Sequence, residues 1–335
     1  MQTNDLLRVL TREGVLLNVS VRYWRGCKKL RAEDLGLNPD DVSNRLISLG
    51  HKRLLPKEAT AGLSLVESRT HALVEANTFP FLNGLAHFLP NQKLEEITAK
   101  LQELEEEFWR AKREFLGHYA KLRESASEEW RSMAERLVVD PERLVSTIEV
   151  SFPTPERMDR FFGFDTQLFQ IAVPERLGLD VVSLADQQNV IKARQQAAQA
   201  ASRKIREDVE SFVAECAATL REQTAVLCSD MLESISTSET GVHQKTLNRL
   251  IRFIDQFKQM NFVNDAEMEH QLEAVRKDLL GKTAEEYRDS ASSRTRLVAG
   301  LSRLRDHARE LAKNDTTELV QRFGELGRRK FHLAA

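Results

Sequence analysis

The chain has 335 residues, with 49 basic and 51 acidic side chains and a formal net charge of −2. A balance this close to neutral excludes a whole-protein field that would draw in polyanions, and leaves only local basic patches. Aromatics at 7%, 14 Gly and 8 Pro describe a long-helix protein, and the regular recurrence of apolar residues excludes a disordered one.

The first segment, 1–14, reads as a short helix with Leu6, Leu7 and Leu10 on its apolar side. The period then changes to two. Val15, Leu17, Val19, Val21 and Tyr23 alternate with Leu16, Asn18, Ser20 and Arg22, which predicts a strand ending in a turn at Gly26. Asn38-Pro39 is turn chemistry. Helices are expected from Pro39 to Leu49 and from Pro56 to Asn77, and residues 78–92 read as an irregular, Phe-rich connection.

The chain is organised around a helix predicted from Leu94 to Leu137, about twelve turns long by helical rise. Its apolar residues Leu94, Ile97, Leu101, Leu104, Phe108, Ala111, Phe115 and Leu122 alternate three- and four-residue spacings. Asn91 is the expected N-cap, and Glu-to-basic pairs four apart support the exposed face. Residues 140–183, with Pro153, Pro155, Gly163, Pro174 and Gly178, form a joint that holds a second strand over Phe162–Val173, expected to pair with 15–23.

A second long helix spans about Leu184 to Ile235. Ile205, Cys216 and Leu227 are eleven apart, as are Val209, Leu220 and Met231, a period that favours a straight path. Against a near-heptad partner this predicts a local irregularity around His118–Ala126. Three shorter helices follow, over 242–260, from a cap at Asn264 to Gly281, and over 283–313, then a turn at 316–326 and a basic tail. The expected fold is mainly α: a long antiparallel, coiled-coil-like hairpin with a small two-stranded β element and a C-terminal helical bundle. The segments are 1–91, 92–238 with the joint inside, and 239–335.

Residues that carry chemistry are sparse. The sequence has no phosphate loop, no GxGxxG and no GxSxG. Glu267/His270 is the one Glu-x-x-His pair, where a di-iron bundle needs two with two further carboxylates. His51, His71 and His87 share no ligand spacing. Cys27, Cys216 and Cys228 are far apart without a CxxC, which argues against disulfides or zinc and for a reducing compartment. Cys216 falls on the apolar stripe and reads as a buried hydrophobe. Cys27 lies between Arg25 and Lys28, a setting that lowers the pKa of an exposed thiol, but it lacks an identifiable partner base. No signal-like segment precedes the first strand, and no apolar run approaches the roughly 18 residues of a membrane span. The expectation is a cytoplasmic, non-membrane protein that is not an enzyme and needs no cofactor.

The most distinctive stretch is Arg22-Tyr23-Trp24-Arg25-Gly26-Cys27-Lys28-Lys29-Leu30-Arg31. Cations interleaved with aromatics suit single-stranded nucleic acid. The favoured reading of the stretch makes Tyr23 and Trp24 core anchors at a strand end, with solvated cations around them. Arg328, Arg329 and Lys330 form a second basic patch that suits phosphate contacts.

Here the sequence resembles a bacterial family of unknown function with a hydrophobic strand followed by Arg-x-Trp-x-Gly and Lys-Lys-Leu, present as Val19–Val21, Arg22, Trp24, Gly26 and Lys28-Lys29-Leu30. The resemblance covers roughly residues 10–300 and includes the helices and the Phe-rich strand at Phe162, Phe164, Phe169 and Ile171. It implies no known activity. It implies genes near a MoxR-type AAA+ ATPase resembling the small cobalt-chelatase subunit, and near a von Willebrand A-domain protein.

The resulting expectation is a non-enzymatic helical adaptor working with such an ATPase in mobile-element maintenance or phage defence. Two alternatives stay open. One is a nucleic-acid-binding module using Arg22, Trp24, Arg25, Lys28, Lys29 and Arg31, with Arg328, Arg329 and Lys330 of the tail as further contacts. The other is a homo-oligomeric structural coiled-coil protein.

Overall fold

The computed structural model describes residues 3–38, 42, 48–82, 84–170, 187–237, 241–313 and 319–323. The fold is mainly α, with a small antiparallel sheet and a separate two-stranded ribbon. It divides into two compact units that alternate along the chain. Unit 1 comprises Met1–Leu17, Asn77–Glu95 and Leu168–Ala335; unit 2 comprises Asn18–Ala76 and Glu96–Gln167.

Unit 1 opens with α1 (Thr3–Glu13), which runs into β1 (Gly14–Arg22). The stretch expected to be irregular is a hairpin, β4 (Phe79–Phe81) and β5 (Ala86–Pro90). Strand β5 pairs antiparallel with β1 in the register Gly14↔Pro90 to Leu17↔His87. Its two prolines hid it. Pro80 is exposed in the outer strand β4, and Pro90 is the last residue of β5, both positions where a missing N–H is tolerated. The alternation then puts Phe79, Phe81 and Phe88 on one face, against Phe212 and Phe262, with ring centroids 4.6–5.5 Å apart.

The rest of unit 1 is helical. α6 (Gln187–Thr237) supplies Val209, Phe212, Val213, Cys216, Leu220, Leu227, Cys228 and Met231 to the core. The eleven-residue spacing therefore marks a buried stripe. The stripe is covered by α7 (Gln244–Met260), α8 (Ala266–Leu279), α9 (Ala284–Asp289) and α10 (Ala291–Lys313). The helix expected over 283–313 is thus two. Ser290 separates them, and its hydroxyl accepts from Ser293 N–H to restart the chain as α10. The cap of α8 is Asp265, not Asn264. Asn264 takes a left-handed φ of 56°, and the Asp265 carboxylate accepts from Met268 N–H at 3.2 Å.

Arg221 is buried in this core. Its Nε donates to Asp265 Oδ2 at 2.6 Å and its Nη1 to the Leu311 carbonyl at 2.7 Å, so one guanidinium ties α6, the start of α8 and the end of α10 together.

Unit 2 is built on α3, which runs without interruption from Asn91 to Leu137. The irregularity expected around His118–Ala126 is absent. His118 is exposed, and its Nδ1 lies 2.9 Å from the Glu114 carbonyl of its own helix. The Asn91 amide at the start of α3 donates to the Arg12 carbonyl at 2.5 Å. Within unit 2, the α3 stripe of Leu104, Phe108, Phe115 and Tyr119 packs with Leu63 and Val66 of α2 (Ala61–Asn77). Ala126 and Ala134 pack with Leu144, Val145 and Ile148 of α4 (Pro141–Ser151), which turns back under an Asp140 cap. Leu104, Phe108, Phe115 and Tyr119 of α3 belong to the core of unit 2, and the apolar stripe of α6 belongs to the core of unit 1.

A short helix, α5 (Pro155–Met158), leads to β6 (Gly163–Phe169), the neighbour of β1 in the sheet, as the pairing of the two predicted strands required. The expected helix at 39–49 and the strand residues 171–173 fall largely or wholly outside the described residues.

Candidate functional site

The stretch 22–31 begins where β1 ends. Gly26 adopts φ +61°, a left-handed conformation that glycine takes without a Cβ clash, so the chain turns there. It re-enters as β2 (Cys27–Lys29), paired antiparallel with β3 (His51–Arg53) in the register Cys27↔Arg53, Lys28↔Lys52 and Lys29↔His51. The ends of the ribbon are closed by Leu54 N–H to Gly26 O at 2.6 Å and Leu30 N–H to Gly50 O at 3.1 Å.

The candidate residues separate into three kinds. Trp24 is a core residue, 6% exposed, ringed by Phe115, Tyr119 and Phe152 at 5.9–6.3 Å. A base cannot stack on it. Arg22 and Arg25 are exposed but neutralised, Arg22 by Asp165 at 2.9 Å and Arg25 by Glu67 at 2.5 Å. Glu67 also accepts from the Tyr23 hydroxyl at 3.2 Å. Burial raises the Tyr23 phenol above its usual 10.0, and the charge of Glu67 pushes the same way. Lys28, Lys29 and Arg31 are exposed and make no ion pair among the described residues. Arg328, Arg329 and Lys330 lie outside the described residues.

Two residues that sequence reasoning left out join this group. His51 and Arg53 are both exposed on β3, whereas Lys52 between them is buried and bonded to Asp34 at 2.7 Å. An alternation in which the inward residue is a lysine carries no hydrophobic period, so the strand was invisible. The only signal was indirect: Asp34 is an acid placed to satisfy a buried cation.

The remaining candidates scatter. Cys27 is half-buried, with Sγ 3.4 Å from the Arg25 carbonyl. Cys216 and Cys228 are buried, as expected of the former; burial holds the Cys216 thiol well above its usual range and pushes Cys228 up to about 12. Glu267 faces His307 at 3.4 Å, while His270 is exposed. In unit 2, His51 and His71 are exposed. In unit 1, His87 Nδ1 lies 3.2 Å from the Thr78 hydroxyl.

Two further surfaces stand out. In unit 1 an open groove of about 690 Å³ lies between α6 and α7, lined by Glu222, Gln223, Val226, Arg249, Arg252 and Phe253 among others. Its charges are partly spent, since Arg249 pairs with Asp230 at 3.0 Å. In unit 2 the turn from α3 to α4 presents Leu137 and Val139, 59% and 104% exposed. No described helix is long and apolar enough to cross a membrane.

No curated protein and no solved structure matches the chain. One family model, described as "Protein of unknown function (DUF3150)", matches residues 11–306. That match takes in the Arg22–Leu30 motif, the β2–β3 ribbon and every helix from α2 to α9, and the chain therefore belongs to the DUF3150 family.

Proposed function

We propose that this chain is a non-enzymatic helical adaptor, the subunit of a multi-protein complex that works with a MoxR-type AAA+ ATPase in mobile-element maintenance or phage defence. The observation that supports this reading is the α3–α4 turn. Leu137 and Val139 stand in solvent at the end of a 47-residue helix, on a turn fixed by the Asp140 cap. Placing two aliphatic side chains in water on a rigid mount gains nothing for folding. Burying each in a partner is worth about 1.5–3 kcal/mol.

A second support is how the buried ion pairs are used. Asp34 holds Lys52, and Arg221 holds Asp265, each joining structural elements. The ATPase and the von Willebrand A-domain protein enter through the resemblance drawn from the Arg22–Leu30 motif.

The test is co-elution of the full chain with the neighbouring AAA+ ATPase, with and without a slowly hydrolysed ATP analogue. A complex is expected, weakened at least tenfold by L137S/V139S, since the two side chains together carry about 3–6 kcal/mol. No complex under either condition overturns the reading. A chain that instead elutes alone as a dimer or larger, and becomes monomeric in the same variant, overturns it in favour of self-assembly.

A further inference from the structure

We infer that the outward face of the β2–β3 ribbon is a phosphate-backbone site for duplex nucleic acid, formed by Lys29, Arg31 and Arg53 with His51 among them. The face follows from strand geometry. Side chains two apart on an extended chain share a side, and residues directly opposite in an antiparallel pair share it too. Cys27 and Lys29 lie on one side of β2. Arg31 continues it, with extended backbone at φ −105° and ψ 157°. The register adds Arg53 opposite Cys27 and His51 opposite Lys29. Lys29, Arg31, His51 and Arg53 are all exposed.

On the opposite side of the ribbon Lys28 is exposed, while Lys52, which faces it, is turned inward. Lys52 is 6% exposed and held by Asp34, whose Oδ2 also accepts from Arg31 N–H at 2.8 Å. Asp34 is therefore turned away from the cations of the outer face. Glu33, exposed in the turn that follows Arg31, makes no ion pair among the described residues. Lys29, Arg31 and Arg53 likewise have no acidic partner there, in contrast to Arg22 and Arg25.

Like charges facing one another across a ribbon destabilise it. Here Lys28 faces Lys52 on one side, and Lys29 and Arg53 lie diagonally on the other, all on a fixed mount. Leu54 and Leu55, which follow β3, are buried, and Trp130 Nε1 donates to the Arg53 carbonyl at 2.9 Å. A fixed cluster of cations without an acidic partner among the described residues is the arrangement a polyanion neutralises.

The choice of duplex rests on what accompanies the cations. Single-stranded sites combine cations with aromatic stacking platforms. Here Trp24 is buried, Tyr23 is committed to Glu67 and Trp130 packs partly buried against the core, so among the described residues the face offers charge without an exposed stacking surface. A two-stranded ribbon also has the width that a major groove admits.

The experiment is fluorescence anisotropy of the full chain with a labelled duplex of arbitrary sequence, titrated at several salt concentrations. Three cations on phosphates predict a log–log salt slope of about −2.7, a roughly 40-fold loss of affinity between about 50 and about 200 mM salt. K29Q/R31Q/R53Q is expected to weaken binding at least tenfold and flatten the slope. R113Q/K121Q, two exposed cations of α3 in the same unit, is expected to leave both unchanged. Thermal melts of each variant check folding.

Absence of binding at low salt, a triple variant that binds as wild type, or equal weakening by the α3 pair overturns the inference. So does tighter binding to a single strand of the same length, or to polyglutamate, than to the duplex.

Discussion

Replacing Asp265 with Ala is expected to cost unit 1 about 4–6 kcal/mol. The carboxylate does two jobs. Its Oδ2 takes the Arg221 Nε–H at 2.6 Å in a pair whose side chains are 7% and 2% exposed, and its Oδ1 caps α8 through Met268 N–H. Removing one partner of a buried pair leaves the other charge uncompensated, about 3–5 kcal/mol, and losing the cap adds about 1 kcal/mol. D265N keeps a good capping side chain, so it should cost about 1 kcal/mol less than Ala. R221M/D265N removes both charges, keeps the cap and should return close to wild type. Urea unfolding followed by far-ultraviolet dichroism reads the helices of both units. Tryptophan fluorescence serves as the reference for unit 2, which holds all of Trp24, Trp109 and Trp130. The reasoning fails if D265A costs less than about 1 kcal/mol, or if the double variant is no more stable than D265A.

Trp24→Ala should destabilise unit 2 by about 3–5 kcal/mol, because the cavity falls among Phe115, Tyr119 and Phe152; a loss below about 1 kcal/mol would mean the site collapses freely. Gly300→Ala places a Cβ against the buried Leu279 side chain, an overpacking of about 1–3 kcal/mol. Gly281 meets nothing within 4 Å, so G281A should be neutral or stabilising by up to about 1 kcal/mol, and the two melting points should move apart. Stability should also fall in alkali. Burial raises the Cys228 thiol from 9.0 to about 12, and the Tyr119 phenol from 10.0 to about 12. In each case the native state holds its proton more tightly than the unfolded chain. The stabilisation is therefore complete below the unfolded values and disappears as pH rises toward about 12. Melting at stepped pH should show C228A losing less stability than wild type across that range.

Long periodic elements were legible because burial and period coincide in them. The three–four spacing of α3 and the eleven-residue spacing of α6 each mark residues that the structure buries, with Leu94, Ala111, Leu122 and Ile205 only half-buried. What covers those stripes was not legible, since a stripe says that a helix packs without naming its partner. The β4–β5 hairpin was lost to Pro80 and Pro90, whose edge and terminal positions are a tertiary fact. At the candidate site, Gly26 announced the turn. The roles of the cations depended on Asp165, Glu67 and Asp34, which lie up to 143 residues away in sequence and are joined only by folding. Trp24 could be read either way until its ring neighbours were placed.

The alternation of the two units along the chain has a consequence for synthesis. Every segment of unit 2 has been made by Gln167, so that unit can close while the rest is still being translated. Unit 1 must wait. Leu6, Leu7, Val9 and Leu10 of α1 are buried in a cluster that also needs Leu304 and Leu311 of α10, some 300 residues later. At ordinary elongation rates that is a delay of about 15–60 s, during which these leucines and the phenylalanines of β4 and β5 have no finished core to enter. Nascent chains should therefore engage a holding chaperone through the first ninety residues, and a translational pause ahead of α10 would lengthen that exposure.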